Sequence, residues 1–309
     1  MILCCGEALI DMIAEINAVG EPVFKPHAGG AIFNSAVAIG RLGVPSGLLT
    51  GLSSDFFGEV LRGTMAASHV SDKYTIQSDR PTTLAFVRLV NGQASYAFYD
   101  ENTATRLLHI DDVPALDDEV SALLFGGISL ISEPCASTLE ALMMREKSKR
   151  VIMLDPNIRA NFIQDRDSYL ARLNRMIKHA DIIKLSDEDL GWFANQNDED
   201  DQDAKIDEWL AQGVKLIVIT RGANGADAYT SHGKLSVAAQ KVDVVDTVGA
   251  GDTVNAGILA SLHNQQLLNK KAVAELSDMA ILQALRLGID AASVTISRAG
   301  ANPPWAHEL

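Results

Sequence analysis

Asp246-Thr247-Val248-Gly249-Ala250-Gly251-Asp252-Thr253 sets a carboxylate directly behind a turn of small residues, and from Ala250 onward Val254, Ile258, Leu259 and Leu262 recur at helical spacing. That spacing predicts an amphipathic helix whose first-turn amides face the turn. Such a helix start attracts phosphate: the unpaired N–H groups and the positive end of the helix dipole act together, and glycine lets the backbone come close. Two readings of Asp252 follow. It caps the helix start, or it is a base placed beside a bound phosphate.

The runs around this segment set the fold class. Residues 123–125, 151–154, 182–185 and 216–219 are nearly continuous apolar runs closed by a polar residue or glycine, as strands buried on both faces are. Between them, 137–147 and 169–179 carry helical patterns. Alternation of this kind predicts an α/β fold with parallel βαβ units. Ligands of such sheets collect beyond the carboxyl ends of the strands. Asp155, Ser186 and Thr220-Arg221-Gly222-Ala223-Asn224-Gly225 all fall at such ends, although Asp155 reads equally as a turn former before Pro156. One region breaks the rhythm: 84–90 and 94–99 are short strand-like runs joined through Asn91-Gly92, a hairpin signal. Alternation puts Ala94, Tyr96 and Phe98 on one face of an inserted β flap.

The chain has 309 residues, 47% of them hydrophobic, enough for a large core without a linker to divide it. A formal charge of −14 leaves no basic excess for a phosphate backbone, so nucleic acid is not an expected partner and small molecules are. Three cysteines, two adjacent at Cys4 and Cys5, make neither a disulfide framework nor a metal spacing; they read as buried, and a cytoplasmic setting is expected. No basic leader precedes the first apolar run, which Glu7 and Asp11 interrupt, so a signal peptide or membrane anchor is not expected. No apolar stretch reads as long enough to span a membrane. The acidic run Asp198-Glu199-Asp200-Asp201, continued by Asp203, reads as a solvated loop. Gly222-Ala223-Asn224-Gly225 has no following lysine, which excludes a P-loop, and no dinucleotide-binding fingerprint is present.

A second glycine-rich segment lies far upstream, His27-Ala28-Gly29-Gly30-Ala31-Ile32-Phe33-Asn34, followed by Ser35-Ala36-Val37-Ala38-Ile39-Gly40-Arg41-Leu42-Gly43. Further phrases are Gly6-Glu7-Ala8-Leu9-Ile10-Asp11, Tyr99-Asp100-Glu101-Asn102-Thr103-Ala104, Asp155-Pro156-Asn157-Ile158-Arg159 and Ser297-Arg298-Ala299-Gly300-Ala301-Asn302-Pro303-Pro304. Together with 246–257 they resemble the ribokinase-like (pfkB) carbohydrate kinases over essentially the whole chain, and among them the bacterial fructokinases. The resemblance implies one domain over 1–309: a three-layer α/β/α core with a mostly parallel sheet, and a small β lid formed by about 12–24 and 82–104. It implies ATP as donor, Mg²⁺, and K⁺ as in monovalent-cation-dependent relatives. The implied reaction phosphorylates a primary hydroxyl, fructose giving fructose 6-phosphate. Kinases of 2-keto-3-deoxygluconate, tagatose, ribose or a nucleoside stay open within the same fold, as does a catalytically silent sensor.

In that reading Asp252 accepts the hydroxyl proton while the amides of Gly249, Ala250 and Gly251 hold the γ-phosphate. Asp11, Gly29, Gly30 and Asn34 match the family's sugar-contacting positions, with Phe98 and Arg159 beside them. Alternatives stand for each: Asn34 as the cap of a helix over 35–42, Asp11 as an exposed strand end, Arg159 as a surface partner of Asp155 or Asp165. Arg88 and Arg159 keep an acid sugar open. Ser186, Thr220, Gly222 and Gly225 resemble the nucleotide positions. Many relatives have asparagine and glutamate where this chain has Ser186 and Asp189, which leaves the organisation of Mg²⁺ open, although Asp189 can still order a water around the ion. Asp246 matches a position beside K⁺, or simply caps the loop. An exposed edge of the lid offers a way to pair two subunits into a homodimer.

Overall fold

A strand covered on both faces has to be apolar at every position, and runs of that kind form the centre of the molecule. The computed structural model describes residues 1–90, 93–194 and 198–309, with the backbone alone at 87–90 and 93–96. In chain order the elements are β1 Ile2–Cys5, β2 Leu9–Ile16, β3 Pro22–Gly29, α1 Ala31–Arg41, β4 Ser46–Leu49, β5 Gly51–Ser53, α2 Phe56–Ala67, β6 Val70–Ser71, β7 Ile76–Ser78, β8 Thr83–Val90, β9 Gln93–Tyr99, β10 Ala122–Gly126, α3 Cys135–Glu146, β11 Val151–Asp155, α4 Arg166–Ile177, β12 Ile182–Ser186, α5 Asp187–Phe193, α6 Glu199–Ala211, β13 Leu216–Thr220, β14 Ala226–Thr230, β15 Gly233–Val237, α7 Ala250–Asn264, α8 Lys270–Val273 and α9 Asp278–Ile296.

Nine strands form one sheet in the order β15-β14-β13-β12-β11-β10-β1-β4-β6, parallel except where β14 and β15 turn back at one edge. Alternate strand residues feed two cores. Val151, Met153, Ile182 and Val218 face a layer with α1, α2, α7 and α9. Ile152, Leu154, Ile183 and Ile219 face one with α3, α4 and α6. The result is the expected three-layer α/β/α arrangement, and all three cysteines are free and buried in it.

Several local expectations are corrected. Helix α7 is not amphipathic: every residue from Asp252 to Leu262 is buried, because α1 and α9 cover the sides that the spacing left to solvent. A Cβ on Gly257 would collide with Gly288, so this glycine is what lets α7 and α9 approach. Helix α9 is itself long and apolar enough to cross a membrane by length and composition, at a mean hydropathy of 1.4, contrary to the expectation that no stretch is. It is packed against α7 and β15. The acidic run is no loop but the start of α6, whose N-cap Asp198 accepts the Asp201 amide (3.2 Å) and whose first turn holds carboxylates where the helix dipole favours them. Helix α1 starts at Ala31 rather than Ser35, with Gly30 as its N-cap.

A second sheet of four strands, β3-β2-β8-β9, projects from the carboxyl side of the core. Its strands Leu9–Ile16 and Pro22–Gly29 run past both ends of 12–24 and join the core directly through Gly30 and α1. Register pairs Asp11 with Ala85 and Ala85 with Phe98, so these three share the inner face. The other face carries Phe24, Phe86 and Tyr99 in an edge-to-face row, with Phe24 and Tyr99 exposed. The expected Asn91-Gly92 turn, and the side chains of Arg88, Ala94 and Tyr96, lie outside the described residues.

Candidate active site

The turn before α7 closes on a glycine: Gly249 has φ +79, a left-handed conformation that a side chain disfavours. The amide of Ala250 donates to Thr247 O (3.3 Å) and that of Thr253 begins the helical ladder on Gly249 O (2.9 Å). Among the described residues no protein acceptor stands opposite the amides of Gly249, Gly251 and Asp252, so these three, rather than Ala250, are the donors offered to an anion. Asp246 braces the turn. Its Oδ1 accepts the Val248 amide (3.0 Å) and its Oδ2 the Gly300 amide (2.9 Å), which ties the turn to the C-terminal segment.

Asp252 lies in the first turn of α7, 5% exposed. Asn34 Nδ2 donates to its Oδ2 (2.9 Å), and Ser35 Oγ donates to its backbone carbonyl (3.2 Å), so α1 and α7 hold the carboxylate between them. Asn34 is therefore not the cap of α1; its side-chain amide is committed to Asp252. Burial pushes the Asp252 carboxyl up to about 7, with Asp155 adding to the shift and the Asn34 hydrogen bond, Lys184 and Arg159 opposing it. A carboxylate poised near neutrality suits a general base.

One cavity of about 850 Å³ joins this turn to the small sheet. Asp11 and Phe98 line it from the sheet, Gly30 and Asn34 from α1, Asn157 and Arg159 from the loop after β11, and Val248, Gly249, Gly251 and Asp252 from the α7 turn. The two early glycines have separate reasons. A Cβ at Gly29 would collide with the Asp11 carboxylate, and Gly30 needs φ +104 to turn from β3 into α1. Asp11 keeps some contact with the cavity yet lies deep enough that burial raises its carboxyl to about 7, Arg159 pulling it down and Glu7 pushing it up. Phe98 packs against Phe162 with the rings tilted at 52° (centroids 4.8 Å), beside Leu9, Ala85 and Ile128. Arg159 also donates to the carbonyls of Asn157 (3.3 Å) and Ile158 (3.1 Å), while Asp165, once a candidate partner for it, caps α4 through the Ser168 amide.

Other expected residues stand at the same edge of the sheet without lining this cavity. Ser186 is the N-cap of α5, accepting the Asp189 amide (3.0 Å), and Thr220 Oγ1 donates to Leu185 O (3.3 Å). Gly222 and Gly225 shape the turn after β13 at φ 52 and 92. Both Asp189 oxygens are taken by amides, Oδ1 by Ile158 (2.9 Å) and Oδ2 by Ser186 (3.2 Å). Among the described residues no group of three or more His, Cys, Asp or Glu is placed to hold a metal.

Three buried side chains escaped the sequence reading. Glu7, 2% exposed, accepts the amides of Ile32 (3.5 Å) and Ser129 (3.2 Å) and so fixes the start of α1. Lys184, also 2% exposed, donates to Asp155 Oδ2 (3.0 Å), and Asn255 donates to the same oxygen (2.7 Å). The available signal was a charged residue at an inward position of a buried strand, Ile182-Ile183-Lys184-Leu185.

Comparisons with known proteins identify relatives of this chain. The family model for the pfkB family carbohydrate kinases matches residues 1–308. A fructokinase of Rhizobium leguminosarum bv. trifolii is 54% identical over 290 residues, 94% of this chain and 87% of that protein. The fructokinase of Xylella fastidiosa, solved with bound ATP, superposes with a TM-score of 0.89 at 29% identity, covering 97% of this chain and 93% of that one. A fructokinase of Vibrio cholerae O395, solved with fructose, ADP and calcium ion, gives a TM-score of 0.83 at 24% identity over 97% and 94% of the two chains, a likeness of fold alone. With its matched length, its ribokinase-like sheet order and a carboxylate at a glycine-turn helix start, the chain belongs to the pfkB family of carbohydrate kinases.

Proposed function

We propose that the chain transfers the γ-phosphoryl group of ATP to the primary hydroxyl of fructose, giving fructose 6-phosphate and ADP. The single observation that carries this reading is the shared cavity. Hydrogen-bonding groups for a sugar (Asp11, Asn34, Arg159) and the base with its amide donors (Asp252, Gly251) open into the same space. The Asp252 carboxylate takes the hydroxyl proton as the sugar oxygen bonds to phosphorus and the bond to the β-phosphate oxygen breaks. The amides of Gly249, Gly251 and Asp252, fixed before reaction, stabilise the oxygens of the moving phosphoryl group. Asp11 and Phe98 orient the sugar from the small sheet, which we read as a lid over it. Ser186, Thr220, Gly222 and Gly225 extend the edge along which the nucleotide lies.

The donor set fits a metal that arrives with the nucleotide, since Mg²⁺ keeps phosphate and water ligands and needs few from protein. Bound there, Mg²⁺ supplies charge neutralisation on the phosphates. Asp189 and Asp246 have both oxygens occupied by amides, so this reading assigns them to bracing the two loops rather than to Mg²⁺ or K⁺. Three free, buried cysteines support a cytoplasmic setting. The exposed Phe24 and Tyr99 support a homodimer formed through the small sheet.

Sugar-dependent ADP formation across fructose, tagatose, ribose, 2-keto-3-deoxygluconate and a nucleoside tests the reading. Fructose is expected to show the highest kcat/KM. Arg159 in the cavity favours the acid sugar as second reading, and a clear preference for it would replace fructose. Stabilisation by sugar with no ADP formed from any of them would return the sensor reading.

A further inference from the structure

On β11 and β12, register pairs Leu154 with Ile183, and the next residues along, Asp155 and Lys184, follow Met153 and Ile182 on the face toward α7. Both are at most 2% exposed, Lys184 opposite Val218 on β13 and Asp155 opposite Gly126 on β10. A buried ion pair is poor value for stability, since desolvation offsets much of the attraction. Here the cost is larger still, because Asp155 Oδ1 and Asn255 Oδ1 have no hydrogen-bond partner among the described residues. The pair meets α7 through Asn255 and also at its first turn, where a Cβ built on Gly251 would stand 2.7 Å from Lys184 Nζ. Gly251 does not have a positive φ, so backbone freedom does not call for a glycine there, and a side chain would have to displace the ammonium.

We propose that Lys184 is a positioning residue for phosphoryl transfer, its ammonium occupying the space that a side chain on Gly251 would fill and holding the first turn of α7, with Asp252, against the ends of β11 and β12. The inference rests on the reading of Asp252 as the base. Burial alone would lower the Lys184 pKa, but the carboxylates of Asp155, Asp189 and Asp252 outweigh it and keep the ammonium charged. Asp252 is faced by Asn34 from α1, by Asp155 and Lys184 from the strands, and by Arg159 from the loop after β11.

The test compares Lys184→Met, Asp155→Asn, the double variant and Asp252→Asn, each checked by thermal unfolding, in kcat, both KM values and the pH profile with ATP and the preferred sugar. Lys184→Met is expected to move the acid limb of the profile up by about one pH unit or more, and Asp155→Asn to move it down. In Lys184→Met, kcat near neutrality should fall about tenfold or more with both KM values within about threefold. The double variant removes both members of the pair, so neither Asp155 nor Lys184 is left charged without the other, and it is expected to fold where Lys184→Met does not. Its limb should return toward the parent while kcat stays about tenfold low, because the turn has lost its support. A double variant with parental kcat, or single variants that move the limb in the same direction or not at all, overturns the proposal. Should Asp252→Asn itself retain turnover, the reading beneath it fails instead.

Discussion

The carboxyl edge of the nine-stranded sheet and the inner face of the four-stranded sheet meet in one cavity, yet they hold their side chains differently. Asp155, Lys184, Asn255 and Asp252 are at most 5% exposed and are tied together or to α1 by side-chain hydrogen bonds. Asp11 and Phe98 stand on a thin sheet whose far side carries exposed aromatic residues. In the proposed reading, preorganised charge sits where side chains are most buried, and sugar contact sits on the sheet with fewer packed neighbours. On that division, substitutions on the large sheet act on kcat and those on the small sheet act on KM for the sugar.

The strongest way to break the division is Asp252→Asn, which keeps the shape and can still accept the Asn34 hydrogen bond. It should lower kcat by about 10²–10⁴ with sugar and ATP KM nearly unchanged. On the small sheet, Asp11→Asn should raise sugar KM about ten- to a hundredfold, the worth of a hydrogen bond to a charged group, with kcat within about threefold. A loss in kcat at constant KM would move Asp11 to the chemical side. The pH profile sharpens the same contrast. Both carboxyls are raised to about 7, so kcat/KM of the parent should fall through an acid limb near that value, and the limb left in Asp11→Asn belongs to Asp252. Stability runs the opposite way. A carboxyl whose folded pKa is raised favours the folded state fully below its unfolded pKa, and that contribution is lost as pH rises from the usual carboxylate range through about 7. Thermal unfolding should therefore find Asp252→Asn more stable than the parent at alkaline pH, with the gap closing toward pH about 4. The smallest effect is expected from Phe98→Leu, which loses the Phe162 ring contact and should raise sugar KM about two- to tenfold.

The large sheet was legible because burial on both faces writes itself as unbroken apolar runs, and 122–126, 151–155, 182–186 and 216–220 all became strands. The small sheet was legible as a hairpin signal, but the extent of β2 and β3 was not, because those strands continue inward to place Asp11 and Gly29 against the core. The exposure of α7 was misread, since its cover depends on Gly257 meeting a glycine far along the chain. Asp252, Asn34 and Asp11 were readable as a motif, and the contact that joins the first two was not. Lys184 stayed hidden for a related reason: a lysine near the end of a strand looks solvated until Asp155, 29 residues away, and Asn255, 100 residues from Asp155, close around it. Local pattern carries burial. Pairing across elements carries the site.

The most direct measurement is single-turnover transfer from γ-labelled ATP to fructose, with parent and Asp252→Asn both saturated in substrate, so that neither binding nor product release enters. The account predicts label on fructose 6-phosphate in the parent and transfer slower by about 10²–10⁴ in the variant at alkaline pH. Transfer at the parental rate in a variant that cannot accept the proton would contradict it.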